Sequence, residues 1–420
     1  MIESKKNKFD ILRHLTEFTY MESSTLFENG KATIVSSKEV GEKSIPTFTN
    51  EFWTARQRQA SNIHEISYRA CFKPQLPRFF IELLTEPDDF IYDPFSGRGT
   101  TIIEAALLNR NVISNDINPL SEIFCKPRLL IPDMQMLESR LKTIEVKKDL
   151  SSGIDLDMFF ERETLNEILS LRDYFINRKK SGSEDEIDSW IRMVATNRLT
   201  GHSSGFFSVY TLPPNQALMP ERQKKINLKK NQKPEYRNTK QIILKKSKNL
   251  IKDLTKERIL TLRRAAEKAQ FLNTDSGETK TIESGKVMLT VTSPPFLDVV
   301  QYADDNWMRF WFNNIDADLV EKNITVTKNL AEWNYIMGLV FNELYRITKI
   351  GGYVAFEVGD VKSGKIQLDD HILKIGIDSG FECLGIMINQ QDFTKTANIW
   401  GISNNKKGTN TNRIVLFRKG

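Results

Sequence analysis

Phe90-Ile91-Tyr92-Asp93-Pro94-Phe95-Ser96-Gly97-Arg98-Gly99-Thr100 decides how this 420-residue chain is organised. Phe90-Ile91-Tyr92 reads as a short buried strand. Asp93-Pro94 ends it, because proline brings no N–H to a sheet ladder. Gly97 and Gly99 then form a tight loop in which the backbone can lie close to a ligand. From Thr100 to Leu108 apolar residues recur at helical spacing, until Asn109-Arg110-Asn111 stops them. A strand, a glycine loop and a helix in succession are the unit of an open α/β sheet, with the helix N-terminus facing anionic groups.

Working outward, Asn111–Asn115 is a second strand, and Asp116 at its end is placed to accept hydrogen bonds from both hydroxyls of a ribose. Before Asn118-Pro119 it could equally be a turn or helix-cap residue. Val287–Val291 is a third strand, Tyr353–Val358 after Gly351-Gly352 a fourth, and 381–388 with 413–418 a closing antiparallel hairpin. Asp275, ending the short apolar run from Phe271, could receive the amino group of an adenine, although Asp275-Ser276-Gly277 is also a plain turn sequence. The alternation predicts a doubly wound α/β sheet. A Gly-x-Gly loop alone fits a nucleotide, a flavin or no ligand.

Four stretches follow: an N-terminal arm (1–50), the cofactor-binding half of the sheet (51–126), an inserted, mainly helical subdomain (127–269), and the catalytic half (270–420). Hydrophobic content of 40% and charged content of 27% fit a globular protein. No apolar run is long enough for a bilayer, and the N-terminus has no secretory core, so a cytoplasmic chain is expected. Cys71, Cys125 and Cys383 show no CxxC spacing, so neither disulfides nor a metal is expected. The net charge is +6, but residues 222–264 hold sixteen Lys or Arg against three acids, an excess of +13 that leaves −7 for the remainder. Such a segment is either a polyanion-binding element or a solvated lysine-rich helix.

Asp93-Pro94-Phe95-Ser96-Gly97-Arg98-Gly99-Thr100 resembles the cofactor loop of amino-type DNA methyltransferases. The resemblance implies a Rossmann-like methyltransferase sheet and S-adenosylmethionine as cofactor. It also implies that Phe72 and Lys73, in the upstream Phe72–Ile81 segment, meet the methionine end. The implied cofactor-binding set is Phe72, Lys73, Asp93, Pro94, Phe95, Ser96, Gly97, Gly99, Thr100, Asp116, Ile117 and Asp275.

Ser293-Pro294-Pro295-Phe296 then reads as the catalytic loop. Two prolines force an extended turn at the carboxyl end of a strand, where open α/β sheets bind ligands. An exocyclic base amine is a poor nucleophile because its lone pair is delocalised into the ring. Acceptors on its N–H bonds, here Ser293 Oγ and the Pro294 carbonyl, would free that lone pair, and Phe296 would stack on a flipped base. No cysteine follows a proline, which argues against the covalent cytosine-C5 route.

In this family a serine before Pro-Pro leans toward cytosine-N4, with adenine-N6 as the alternative. An RNA base methyltransferase and a non-catalytic DNA-binding relative are further alternatives. The expected partner is double-stranded DNA, within a restriction-modification system in which a cognate endonuclease is a further candidate partner. The cofactor loop precedes the catalytic loop, whereas many cytosine-N4 enzymes have the permuted order. Candidate DNA contacts are Lys224, Lys225, Lys229, Lys230 and Arg237 in the basic stretch. His202, in the loop Thr200–Phe207, is another if that loop enters a groove instead of capping a core. The aromatic run at 306–312 reads as core packing.

Overall fold

The computed structural model describes residues 8–20, 30–41, 43–54, 60–69, 71–211, 217–295, 297, 302–324, 327–361, 366–390 and 411–420. Its main sheet has nine strands: β1 (Ile34–Val40), β2 (Lys43–Asn50), β3 (Phe90–Asp93), β4 (Asn111–Asn115), β5 (Gln270–Leu272), β6 (Val287–Thr292), β7 (Thr348–Val358), β8 (Glu382–Gln390) and β9 (Thr411–Arg418). Their order is β1-β2-β8-β9-β7-β6-β3-β4-β5. The run from β7 to β5 is parallel throughout, and β9 is antiparallel to both of its neighbours. The closing hairpin thus forms as expected, with Glu382 opposite Arg418.

Fourteen helices surround the sheet among the described residues. They are α1 (Lys8–Glu17), α2 (Gln75–Leu84), α3 (Thr100–Leu107), α4 (Leu120–Cys125), α5 (Met134–Thr143), α6 (Arg162–Lys180), α7 (Glu186–Arg198), α8 (Pro220–Lys230), α9 (Thr239–Leu250), α10 (Lys256–Lys268), α11 (Tyr302–Asn313), α12 (Ala317–Asn323), α13 (Leu330–Ile347) and α14 (Leu368–Asp378). One face of the sheet is covered by α13 and α14, through Met337, Phe341, Leu344 and Ile372 packed on Val354, Phe356 and Val415. The other face meets α2, α3 and the helices of the 127–269 stretch in one continuous core, which includes Phe80, Ile103, Phe159 and Trp190. Apolar residues on both faces explain why β3, β4 and β6 read as near-continuous hydrophobic runs.

Two details depart from the sequence reading. Residues 34–50 form a hairpin whose inner strand β2 pairs in parallel with β8 and buries Ile45, Phe48 and Asn50, extending the sheet. And β7 begins at Thr348, before Gly351-Gly352. A Cβ on Gly352 would lie 2.9 Å from the Met288 carbonyl, so glycine lets the strand run through a close backbone approach where its register against β6 shifts. Within 127–269, Asp188 is fully buried and accepts from Arg140, Arg178 and Tyr174, fastening α5, α6 and α7 together.

Candidate active site

The loop between β3 and α3 is built by its glycines and two aspartates. Gly97 and Gly99 have φ of 51° and 76°, the left-handed region that side chains disfavour. A Cβ on Gly99 would lie 2.2 Å from Cys125 Sγ. Asp93 is buried beneath the loop, where its Oδ1 accepts from Thr292 Oγ1 at 2.6 Å and from the Phe95 N–H at 3.1 Å. This ties the end of β3 to the end of β6, and burial raises its carboxyl to about 7. Ser96 points inward, donating to the Asp93 carbonyl at 2.8 Å. Arg98 turns away to the Ile66 carbonyl at 2.9 Å and Thr100 Oγ1 at 3.2 Å.

Asp116, at the end of β4, closes the loop from the other side. Its Oδ2 accepts from the Gly97 N–H at 2.7 Å and its Oδ1 from the Asn118 N–H at 2.9 Å. Burial lifts its carboxyl to about 6. Each oxygen keeps a further lone pair, so two more donors can be accommodated. These residues line a cavity together with Phe95, Ile117, Asp275, Ser293 and Pro295, walled on its apolar side by Trp333, Ile336, Met337 and Val340. Asp275 is exposed and its Oδ1 accepts from the Gly277 N–H at 2.7 Å, the turn bond that its sequence suggests.

The turn after β6 borders the same cavity through Ser293 and Pro295. Trp333 Nε1 donates to the Pro295 carbonyl at 3.0 Å, holding the double-proline backbone from α13. Ser293 lies beside Glu357, whose Oε1 accepts from Asn412 Nδ2 at 2.6 Å. Burial holds Glu357 above the ordinary carboxylate range. Phe296 lies outside the described residues.

The structure therefore gathers Phe95, Gly97, Asp116, Ile117, Asp275, Ser293 and Pro295 around one cavity, with Asp93, Pro94, Ser96, Gly99 and Thr100 as the frame behind it. Phe72, half-buried, packs against the neighbouring core, and Lys73 lines an adjoining cavity. Pro294 is buried in the turn. Sequence reasoning missed Tyr68, Asn118, Trp333, Glu357 and Asn412. Glu357 had a legible signal, an acid alone in the apolar strand Val354-Ala355-Phe356-Glu357-Val358. Tyr68 had none, since it comes from a loop of no regular pattern.

The basic candidates are dispersed. Lys224 pairs with Glu221 at 3.2 Å and Asp155 at 3.5 Å, Lys230 covers the Tyr210 ring at 4.2 Å, and Arg237 pairs with Glu235 at 3.3 Å. Lys225 and Lys229 are exposed on α8. His202 is exposed, but Phe206 and Phe207 beside it are buried, so this loop caps a core with its aromatics. The 306–312 run is also mostly core, with Met308, Phe310 and Phe312 buried. Among the described residues no cluster of three potential metal ligands occurs, and no helix is long and apolar enough to cross a membrane.

Residues 3–122 match the family model described as DNA methylase, N6_N4_Mtase. This region includes the Asp93–Thr100 loop and Asp116 and ends before Ser293. Among curated proteins, the type II methyltransferase M.MjaII of Methanocaldococcus jannaschii is 28% identical over 137 residues, 32% of this chain and 26% of that protein. The type II methyltransferase M.MvaI of Kocuria varians is 35% identical over 81 residues, 19% of this chain and 18% of that one. The chain thus aligns with about a quarter or less of these relatives' lengths. Among solved structures, TrmN of Thermus thermophilus aligns with 87% of this chain and 53% of its own at 11% identity and a TM-score of 0.34. The matched region, which holds the glycine loop and Asp116, is thus similar to the N6/N4 DNA methylase family.

Proposed function

We propose that the chain is a DNA methyltransferase that uses S-adenosylmethionine to methylate an exocyclic base amine, the N4 of a flipped cytosine, as the modification half of a restriction-modification system. The observation that carries this reading is the convergence of Asp116, the Gly97 loop and Ser293 on one cavity. The residues present fit the cofactor. Asp116 has spare acceptor capacity for two ribose hydroxyls, and Ile336, Met337 and Val340 offer an apolar wall for an adenine ring. Bound there, the cofactor would supply an electrophilic methyl group.

The residues of this chain then activate the acceptor. A Ser293 hydroxyl that donates to the neighbouring Glu357 keeps its lone pairs free for an N–H of the base amine, and the Pro294 carbonyl can take the second. Both bonds draw the nitrogen toward a tetrahedral shape. The proton shed by the amine can pass to Ser293 Oγ while the hydroxyl proton moves to Glu357, whose burial favours the protonated form. Trp333 keeps the turn fixed, so little reorganisation is needed at the moment of transfer.

Ser293 supports cytosine-N4, and adenine-N6 is the second reading of the same site. Incubation with labelled S-adenosylmethionine and DNA or RNA, followed by nucleoside digestion and mass spectrometry, tests both. Recovery of N4-methylcytosine from DNA is expected. N6-methyladenine alone overturns the cytosine assignment, and no transfer to DNA overturns the function.

A further inference from the structure

Beside the cofactor cavity, with Tyr68 lining both, lies a second cavity of about 700 Å³. Its walls come from both halves of the molecule. Lys73 and Arg98 belong to the cofactor-binding half, whereas Arg198 at the end of α7, His202 and Lys246 on α9 belong to the inserted helices. Four basic side chains, Lys73, Arg98, Arg198 and Lys246, therefore face one carboxylate, Glu65, which pairs with Lys246 at 3.3 Å.

Arg198 is the sharpest feature. Its residue is nine-tenths buried, yet its Nε has no hydrogen-bond partner in the protein. The guanidinium lies 4.0 Å above the Phe206 ring, and Phe206 is seated on Gly201, where a Cβ would fall 2.2 Å from its Cγ. The plane of the fork is thus held by packing, with a donor left to spare. Burial and the charge of Arg198 hold Lys246 down to about 8, and burial and Arg309 hold Arg198 down to about 10. Cations kept together against their own repulsion are the arrangement that an incoming anion relieves.

We propose that this cavity holds a phosphodiester of the nucleic-acid strand carrying the target base, with Arg198 and Lys246 as its direct ligands. The proposal rests on the methyltransferase reading above and deepens it. An oxyanion in this place meets the Arg198 guanidinium and is neutralised by Lys246, and the strand runs from here past Tyr68 to Ser293. The dispersed lysines of α8 are then secondary to a site that composition did not reveal. A carboxylate, such as that of an amino acid, offers similar chemistry, so the test separates the two sources.

Lys246→Gln and the double variant Arg198→Gln/Lys246→Gln are compared with the wild type in three measurements: binding of a fluorescent DNA duplex across a salt series, calorimetric binding of S-adenosylmethionine, and thermal melting. The slope of log affinity against log salt should fall by about one in the double variant, the share of a single phosphodiester, and by up to that much in the single variant, with cofactor affinity kept. An undiminished slope with cofactor affinity intact overturns the proposal. Loss of cofactor affinity with the slope retained also overturns it, by assigning the cavity to the cofactor's carboxylate. If the double variant does not fold, the single variant decides by the same readings. A wild type that methylates DNA beside variants of unchanged slope sinks only the cavity assignment. A wild type that neither binds nor methylates any nucleic acid sinks the methyltransferase reading with it.

Discussion

Asp116 should make cofactor binding pH-dependent in a calculable way. In the free protein burial lifts its carboxyl to about 6. Ribose hydroxyls would donate to the ionised form, so cofactor and proton compete for the same oxygens. Above pH 7 affinity should be flat. Below about 6 it should fall about tenfold per pH unit, the equivalent of about 1.4 kcal/mol, and reach roughly tenfold by pH 5. The linkage to folding has the opposite sense. Because the folded carboxyl lies above its unfolded value of 3.8, its contribution to stability is greatest below pH 4 and is lost as pH rises through 6.

Asp116→Asn keeps one oxygen, so either the Gly97 or the Asn118 N–H loses its partner, and the charge-assisted bonds to the ribose weaken. About 2 kcal/mol, roughly thirtyfold in Kd, is expected on the plateau. The size alone would not distinguish a bent loop from a lost ligand; the slope does. Calorimetric titration of S-adenosylmethionine between pH 5 and pH 8 should show the fall below pH 6 in the wild type and its absence in Asp116→Asn. A variant that keeps the tenfold-per-unit fall would refute the assignment of that proton to Asp116.

Three further outcomes are open to measurement. Gly99→Ala meets both a left-handed φ and Cys125 Sγ, so denaturant melts should show a loss of about 2–5 kcal/mol, from strain of about 1–2 and overpacking of about 1–3. Cys125→Ala in the same chain should relieve the overpacking part, and strict additivity of the two changes would show that the loop does not pack this way. Ser293→Ala should lower kcat about a hundredfold with cofactor affinity kept, and Glu357→Gln should lower kcat and flatten the acid limb of its pH profile; normal turnover in either variant removes that residue from the proposed relay. Lys225→Gln/Lys229→Gln should reduce the salt slope of DNA binding by about two if α8 lies along the duplex, and an unchanged slope returns α8 to a solvated helix.

The parallel half of the sheet was legible because its strands are buried on both faces. Phe90–Asp93, Asn111–Asn115 and Val287–Thr292 stand as apolar runs next to turn residues, and their pairing follows from right-handed crossovers. The loop glycines were legible for a local reason, since only glycine takes the φ values found at 97 and 99 without strain. What remained hidden depends on register and on distant contacts. Glu357 comes beside Ser293 because Thr292 stands opposite Phe356 in the β6–β7 ladder, and no spacing rule joins positions so far apart. Tyr68 and Trp333 reach the cavity from a loop and from a helix whose apolar stripe looks like ordinary core. The basic stretch misled in the reverse direction, because a count of lysines ignores that Lys224 and Arg237 have acidic partners while Arg198, outside the count, has a donor to spare.

The helical stretch between the two motifs is physically continuous with the site. Arg128 is fully buried and donates to the carbonyls of Phe124 at 2.8 Å and Ile63 at 3.2 Å, and also to that of Arg98 between the loop glycines. Burial brings its guanidinium down to about 10, a cost borne only because its donors reach three separate segments. Arg309 does the same from α11, lying over Tyr68 and Phe124 and donating to the Ser67 carbonyl at 2.9 Å. The loop that would hold the cofactor, the Tyr68 wall and the inserted helices are thereby cross-tied by buried cations and a shared apolar core. An element that reads DNA from those helices would not swing on a linker. It would hold the substrate strand at a fixed offset from Ser293, which transfer to a flipped base requires, since small displacements of the reacting atoms cost large factors in rate.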